Sequence, residues 1–413
     1  MRYTRPLPLV SIRVFAAMTD SPSPTPYDDS ASELEERDSS PNREAPEGEL
    51  KVVSEPARPV LDREPLRIGP GFVETAGWVL GFFAVQMLLG IVLTMVAVMF
   101  MAAVNANGGP SEDTQGVEQY LKSAQGFVVA ASQFATIFIT IGAVYWRWGR
   151  HFATSLRMNR LRFIHLLAIL ALMLPTQVLS QAIYEQANSV WQILAEQSPL
   201  LQMIDKMGIN IVESAPNMIK GMAIPTVLLI FVIAPAVSEE LLFRGIIGNG
   251  LLNRYGVMPG MLVTSMVFAI VHMHPIHATA VFALGAVIHW VYLTTRSIWG
   301  PILLHFCNNG FAMFATLYLG AGEAESEGSI SPLLTLCSFG TILLLCTFLW
   351  QSRSHMTTRD GKPVPFQDEW RFRPSVFTKD RITHRRPSIA ISLAALLATL
   401  STLVLIFSES APS

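Results

Sequence analysis

Residues 225–256 read PTVLLIFVIAPAVSEELLFRGIIGNGLLNRYG, and this stretch decides the class of fold. It is long enough to cross a bilayer, which takes about 20 predominantly apolar residues. It nevertheless contains two adjacent carboxylates, Glu239 and Glu240, and one arginine, Arg244. Ionisable side chains at membrane depth are costly and usually mark a functional site. The stretch therefore predicts a transmembrane helix with a polar centre.

The composition of the whole chain agrees with a membrane protein. Of its 413 residues, 51% are hydrophobic and 15% are charged, whereas a soluble protein carries about 25% charged residues. The net charge is −2 and the basic residues form no long cluster, which argues against a nucleic-acid-binding protein. The cysteines lie inside apolar runs, where they build no disulfide framework. They are Cys307, Cys337 and Cys346.

Nine apolar stretches are candidates for transmembrane helices. They lie near residues 77–104, 123–146, 163–184, 222–250, 258–273, 276–295, 298–319, 332–350 and 388–407. The sequence therefore predicts an all-α, polytopic helix bundle with about nine transmembrane helices. Residues 1–70 are rich in Ser, Pro, Asp and Glu, and this composition predicts a disordered acidic tail. Residues 188–207 have apolar side chains at helical spacing, which fits a short interfacial helix or an ordinary structured loop.

The loops between these stretches differ in charge. Lys and Arg are retained on the cytoplasmic side of a membrane. The loop at 147–162 contains several arginines and no acid, and the loop at 351–387 carries nine Lys or Arg against four acids. The first, third and seventh loops are net acidic. This alternation predicts a multi-pass protein, expected in the cell membrane, with a cytoplasmic N-terminus and an external C-terminus.

The charged residues of the fourth stretch divide into a pair and a single carboxylate. Glu240 and Arg244 are four residues apart, so they lie on one helical face and can form an ion pair. Glu239 is rotated by about 100° from Glu240 and has no local partner. A carboxylate that nothing local neutralises is suited to accept a proton as a general base.

Two further stretches carry polar side chains that belong with these carboxylates. His272 lies near the end of the fifth stretch, whereas His305 and Asn309 share one helical face in the seventh because they are four residues apart. The fourth and fifth stretches predict an antiparallel hairpin with a turn near Asn253–Gly260. Similar distances from this turn place Glu239 and His272 at nearly the same depth. We therefore expect these two side chains to meet.

The seventh stretch raises a question of depth. His305 follows Ser297 by only eight residues, so the seventh helix must begin well inside the membrane or tilt.

Two other histidines receive simpler interpretations. His274 is expected in a turn at the outer surface, and His289 is expected to be a core residue.

Three motifs in this order resemble the CPBP family of intramembrane proteases. That family groups the type II CAAX prenyl endopeptidases with bacteriocin-processing and self-immunity proteins. The motifs are EExxxR at Glu239–Arg244, FxxxH at Phe268–His272 and HxxxN at His305–Asn309. The resemblance covers about residues 220–320, which would form the catalytic core. Residues 71–219 would then hold the N-terminal transmembrane helices and the interfacial segment, and 321–413 two C-terminal helices with the basic loop.

The resemblance implies hydrolysis of a peptide bond in a membrane-associated protein or peptide. In this interpretation Glu239 and His272 activate water, and the oxyanion is stabilised by His305 with Asn309. The supporting residues are Glu240, Arg244 and Phe268.

The resemblance leaves the cofactor open. Glu239, His272 and His305 would suffice for a three-ligand Zn²⁺ site with an open position, and family members are often labelled metalloproteases. The CAAX endopeptidase branch, however, is understood to work without a catalytic metal. We therefore leave the metal open and favour a mechanism without zinc.

Two alternatives to an endopeptidase follow from the same residues. A non-catalytic scaffold or immunity protein would keep the fold and its buried ion pair for partner binding. A transporter would use the polar cluster as an ion site, although the sequence shows no internal duplication of the kind that many transporters have. The expected partners are a peptide or membrane-protein substrate and the lipid bilayer, with no nucleic acid.

The charge alternation predicts the sides on which two loops lie. Single cysteines introduced within 351–387 and within 321–329 should react with a membrane-impermeant maleimide from opposite sides of the membrane, because one loop is basic and the other acidic. Labelling of both loops from the same side would contradict this topology.

Overall fold

The computed structural model describes residues 69–106, 114–206, 219, 222–318, 330–358, 361–370 and 381–409. Within this part of the chain most residues are helical, and the sheet consists of two short strands. The predicted all-α membrane bundle is thereby confirmed. The predicted acidic tail lies outside the described residues, except for Gly69 and Pro70.

Ten helices make up most of the described chain. They are α1 (Phe72–Ala106), α2 (Thr114–Trp148), α3 (Phe163–Glu196), α4 (Pro199–Lys206), α5 (Ile224–Tyr255), α6 (Val257–Ile270), α7 (Pro275–Thr295), α8 (Trp299–Tyr318), α9 (Pro332–Gln351) and α10 (Ile389–Glu409). One-turn helices follow α2 at Gly149–His151 and Phe152–Ser155, and another lies at Asp368–Trp370. Strands β1 (Ser354–Thr357) and β2 (Arg381–His384) pair antiparallel, with Ser354 opposite His384.

Among the described residues, seven helices are long and apolar enough to cross a membrane: α1, α2, α3, α5, α7, α9 and α10. The chain is thus a multi-pass integral membrane protein. The other two predicted spans are present as helices, but they differ from the seven. Helix α6 has 14 residues, or about 21 Å at 1.5 Å per residue, which is short for a hydrocarbon core of about 30 Å. Helix α8 has 20 residues, but polar side chains in its middle lower its mean hydropathy.

The end of the third span differs from the prediction. Helix α3 continues to Glu196 instead of ending near residue 184, and a separate short helix, α4, follows it. The reason is packing, because Trp191 is buried in a small apolar cluster with Ala195 and Ile276. The ring of Trp191 also lies 5.9 Å from that of His274. His274 thus lies in the predicted turn before α7, but it is buried beneath α3 and is not exposed.

Helix α5 is the centre of the bundle and is not a regular α-helix. Two of its segments, Leu229–Ile233 and Leu241–Gly248, are π-helical, and the two carboxylates lie in the α-helical segment between them. π-helical turns are rare and often occur at functional sites. Every residue of Leu241–Gly248 is buried. The bundle thus encloses the region directly after the carboxylates.

Helices α5 and α6 are joined by the single residue Gly256, whose φ of 89° favours glycine. The turn lies inside the predicted Asn253–Gly260 region. So tight a hairpin brings the two helices into backbone contact. A Cβ atom on Gly260 would lie 2.6 Å from the backbone nitrogen of Leu252.

The described part of the basic loop between α9 and α10 folds against the bundle. Trp370 is fully buried, and the backbone N–H of Val257 at the start of α6 donates to Gln367 Oε1 at 3.1 Å. The aromatic side chain of this basic loop thus packs inside the protein.

The close contact at the α5–α6 hairpin predicts opposite effects for two glycine substitutions. Gly260→Ala should destabilise the fold by about 1–3 kcal/mol, because the added methyl group overlaps backbone atoms. Gly340→Ala is the matched control, since no atom lies within 4 Å of a Cβ added there, and alanine favours helices by about 0.5–1 kcal/mol. Thermal unfolding in detergent micelles measures both. Equal melting temperatures for the two variants would contradict the hairpin packing.

Candidate active site

The three motifs lie on neighbouring helices of the bundle. Helix α5 carries Glu239, Glu240 and Arg244, the end of α6 carries Phe268 and His272, and α8 carries His305 and Asn309. Helix α7 packs against them and contributes a backbone carbonyl at Gly285. Four helices therefore form the candidate site.

The carboxylate of Glu240 is the centre of this group. Its Oε1 atom accepts a hydrogen bond from Arg244 Nη1 at 2.7 Å and another from His305 Nδ1 at 2.9 Å. The side chains of Glu240 and Arg244 are completely buried. The predicted ion pair between these two residues is confirmed. The bond to His305, which joins α5 to α8, is an addition that the sequence did not reveal.

Arg244 extends the group to α7 and α6. Its Nη2 atom donates to the carbonyl oxygen of Gly285 at 2.9 Å, and its guanidinium lies 4.6 Å from the centre of the Phe268 ring. The edges of Phe268 approach His272 and His305, with ring centres 5.1 and 5.9 Å apart. Phe268 thus packs between the arginine and both motif histidines, which fits the predicted supporting role.

The hydrogen bonding of His272 fixes its tautomer. Its Nδ1 atom lies 2.8 Å from the carbonyl oxygen of Phe268. A carbonyl oxygen can only accept, so Nδ1 carries the proton and, in the neutral ring, Nε2 keeps its lone pair. Histidine in this form can take a proton from water.

Glu239 differs from Glu240 in its surroundings. Both carboxylates have a buried Oε2 atom without a hydrogen-bond partner among the described residues. Glu240 is bonded through its Oε1 atom, whereas no hydrogen bond to the Glu239 carboxylate is found in this part of the chain. Leaving a buried polar atom unpaired costs about 1–3 kcal/mol, and such an atom calls for a functional explanation. No hydrogen bond joins Glu239 to His272 in the described chain, so the direct meeting of these two side chains stays a prediction.

Asn309 is bound to α5 through a carbonyl group that Pro235 leaves available. Proline has no N–H, so Pro235 cannot donate to the carbonyl oxygen of Phe231 four residues earlier. Asn309 Nδ2 donates to this oxygen at 3.1 Å. The neighbouring Asn308 is held on the other side, since its carbonyl oxygen accepts from Gln177 Nε2 at 2.6 Å. Pro235 is the feature of the sequence that could have indicated the Asn309 contact. No feature of the sequence indicates the contact between Asn308 and Gln177, which lies in α3.

The depth of His305 is explained by the start of α8. The N–H of Ile298 donates to the carbonyl oxygen of Arg157, and the side chain of Arg157 binds Asn249 in α5. Ile298 and Asn249 therefore lie at a similar level. His305 is seven residues beyond Ile298, or about 11 Å at 1.5 Å per residue. Glu240 is nine residues before Asn249, on the other side of the π-helical segment Leu241–Gly248. Helix α8 thus begins inside the bundle.

The sequence leaves open a Zn²⁺ site made by Glu239, His272 and His305. Among the described residues, no group of three His, Cys, Asp or Glu side chains is arranged to hold a metal ion, so these three side chains as placed do not fit that ion. His289 is fully buried beside Tyr292, with ring centres 6.1 Å apart, which confirms its interpretation as a core residue.

The shared carboxylate predicts how Glu240 and Arg244 depend on each other. Glu240→Gln leaves the buried arginine without its counter-charge, and breaking such a pair costs about 3–5 kcal/mol. The Glu240→Gln, Arg244→Gln double variant should recover part of this loss, because no buried charge remains. Unfolding in detergent measures the three proteins. A double variant no more stable than Glu240→Gln would show that the lost counter-charge is not the cause.

Comparison with known proteins identifies the segment that contains this site. The family model described as Type II CAAX prenyl endopeptidase Rce1-like matches residues 221–311. A protein of Bacillus subtilis (strain 168) named "Putative membrane peptidase YdiL" is 30% identical over 95 residues. The aligned part is 23% of this chain and 39% of that protein. No solved structure matches the chain significantly. The matched residues include all three motifs, so residues 221–311 are similar to the type II CAAX prenyl endopeptidase family in the segment that contains the candidate site.

Proposed function

We propose that this protein is an intramembrane endopeptidase that hydrolyses a peptide bond of a membrane-associated protein or peptide. The observation that carries the proposal is the pair of adjacent carboxylates with different surroundings. Glu240 accepts hydrogen bonds from Arg244 and His305 through Oε1, whereas no hydrogen bond to the Glu239 carboxylate is found among the described residues. One carboxylate holds the site together, and the other is left for chemistry.

Glu239 is the general base in this mechanism. It accepts a proton from a water molecule, whose oxygen attacks the carbonyl carbon of the scissile peptide. His272 assists through Nε2, the ring nitrogen left with a lone pair by the bond of Nδ1 to Phe268. The proton held by Glu239 then passes to the leaving nitrogen as the carbon–nitrogen bond breaks. Water and peptide are thereby converted to a carboxylic acid and an amine.

His305 and Asn309 stabilise the negative oxygen of the tetrahedral intermediate. The bond to Glu240 occupies Nδ1 of His305, so Nε2 is the nitrogen that serves the substrate, as a donor when the ring carries both protons. Asn309 uses one N–H on Phe231 and has a second N–H to offer. Removing one such donor costs about 10²–10³ in turnover.

The loop charges support one orientation for this enzyme. With nine membrane crossings, α6 and α8 included, the N-terminus is cytoplasmic and the C-terminus external in the cell membrane. The basic loop between α9 and α10 then lies on the cytoplasmic side.

The proposal predicts that cleavage depends on Glu239 and Asn309. Glu239→Gln keeps the size of the side chain but removes the base, so cleavage should fall by at least ~100-fold. Asn309→Ala should reduce it by about 10²–10³. The substrate is unidentified, so mass spectrometry is used to find the protein N-termini that appear in membranes when the wild type is expressed and are missing without it. The same N-termini are then measured in membranes from cells that express each variant. Glu196→Gln, at an exposed position at the end of α3, is the control that should keep the wild-type set.

The same experiment separates the proposal from a non-catalytic scaffold. If all variants accumulate normally and give the wild-type set of N-termini, the endopeptidase is rejected and the scaffold or immunity protein is favoured. Catalysis is supported if Glu239→Gln accumulates to the wild-type level in the membrane but no longer gives the N-termini that the wild type produces.

A further inference from the structure

A second buried polar group lies beside the start of α8. It consists of Arg157, Arg296, Glu369 and Trp370, and we call it the arginine–tryptophan layer. The exposed fractions of these residues are 3%, 1%, 1% and 0%. Three of the four lie outside residues 221–311, so the matched family segment does not contain the layer.

Trp370 is the centre of the layer. The guanidinium carbon of Arg157 lies 4.0 Å from the centre of its ring, and that of Arg296 lies 5.4 Å away. Arg296 also forms a buried ion pair with Glu369 Oε2. Burial lowers the pKa of Arg296 to about 10, and the charge of Glu369 acts in the opposite direction. The basic loop between α9 and α10 therefore supplies both the aromatic ring and the counter-charge for two buried arginines.

Both arginines have a backbone conformation that needs support. Their φ angles are 54° for Arg157 and 52° for Arg296, a left-handed region that residues other than glycine adopt rarely. Arg296 ends α7, since its N–H donates to the carbonyl oxygen of Tyr292 at 3.0 Å. The chain then reverses to begin α8 at Trp299. The two turns stay in this conformation because the surrounding structure holds them.

The turn before α8 is held by hydrogen bonds to the residues after Arg157. Asn159 Nδ2 donates to the carbonyl oxygen of Arg296 at 2.6 Å, and Ser297 Oγ donates to that of Asn159 at 2.6 Å. The N–H of Ile298 donates to Arg157 at 3.2 Å. The level at which α8 begins is therefore set by this turn.

The layer also joins α5 and α7 to the same turn. Arg157 Nη1 binds Asn249 Oδ1 in α5 and lies 3.3 Å from the hydroxyl of Tyr292 in α7. The ring of Tyr292 is 5.3 Å from that of Trp370. Helices α5, α7 and α8 carry the carboxylates, Gly285 and His305 respectively. A shift of the layer would thus change the relative depth of all three helices.

We propose that Glu369 and Trp370 are positioning residues for the peptidase reaction. They hold the Arg157 and Arg296 turns, these turns set the start of α8, and the start of α8 places His305 Nδ1 at Glu240. This inference rests on the proposed function. It makes the loop between α9 and α10 a part of the catalytic unit, although the loop lies beyond the matched segment.

Kinetics test the inference with matched variants. Trp370→Leu and Glu369→Gln should lower kcat by about 10–100-fold with little change in KM, because misplacing a catalytic group by about 1 Å costs up to 10²-fold. Trp370→Phe keeps an aromatic face for both cations and should recover most of kcat. The control is Phe366→Leu in the same loop, since the Phe366 ring contacts that of Trp350 in α9 in a T-shaped arrangement, with ring centres 4.9 Å apart. The substrate is a synthetic peptide spanning the site found in the comparison of N-termini.

Disulfide formation between α5 and α8 gives a readout that needs no catalysis. A Cβ atom on Gly310 lies 3.7 Å from Val232 Cγ1, so a Val232→Cys, Gly310→Cys pair can form a disulfide in a chain lacking its native cysteines. Adding Trp370→Leu or Glu369→Gln should slow this disulfide by about 5-fold or more, because its geometry tolerates little displacement. Adding Phe366→Leu should leave the rate unchanged.

The outcomes of the two experiments are distinct. Lower kcat with slower disulfide formation, both corrected for the amount of folded protein, supports the inference. Wild-type kcat and wild-type disulfide rates in Trp370→Leu and Glu369→Gln overturn it, even if these variants melt at lower temperature. If the wild type cleaves nothing, the proposed function fails. In that case the rate of disulfide formation alone tests whether the layer positions α8. An unchanged rate in Trp370→Leu and Glu369→Gln would reject this positioning role too.

Discussion

One carboxylate oxygen in the middle of the bundle, Glu240 Oε1, accepts hydrogen bonds from an arginine of its own helix and a histidine of another. In a medium of low dielectric constant, neither the carboxylate nor Arg244 can be left unpaired without a large loss of stability. The bond to His305 therefore constrains where α8 lies. Glu239 takes no part in these hydrogen bonds, and the proposed mechanism assigns it the role of general base.

Much of the fold and of the candidate site could be predicted from local patterns. Apolar stretches gave the positions of the helices, and the four-residue spacing gave the Glu240–Arg244 pair. The partner of His305 could not be predicted, because it lies 65 residues away. Its identity depends on how deep α8 begins. That depth is set by a turn whose hydrogen bonds come from Asn159 and Arg157, and nothing in the sequence near His305 indicates them.

Packing between distant segments also explains the burial of His274 and Trp370, which local sequence patterns did not indicate. His274 follows a short helix and precedes Pro275, a pattern typical of a surface turn, but the extension of α3 covers it with Trp191. Trp370 lies in a basic loop, yet two buried guanidinium groups hold its ring inside the protein. In both cases the tryptophan finds partners that only the tertiary fold brings to it. The segments around the matched family segment thus complete its core.

The central claim is that Glu240 holds His305 through Nδ1 and so leaves Nε2 for the substrate. The ¹⁵N chemical shifts of the His305 ring test it most directly, in protein labelled at histidine and assigned by comparison with a His305→Gln variant. The account predicts a protonated Nδ1 whose shift changes in Glu240→Gln. An unprotonated Nδ1 in the wild type, with the same shifts in Glu240→Gln, would contradict it.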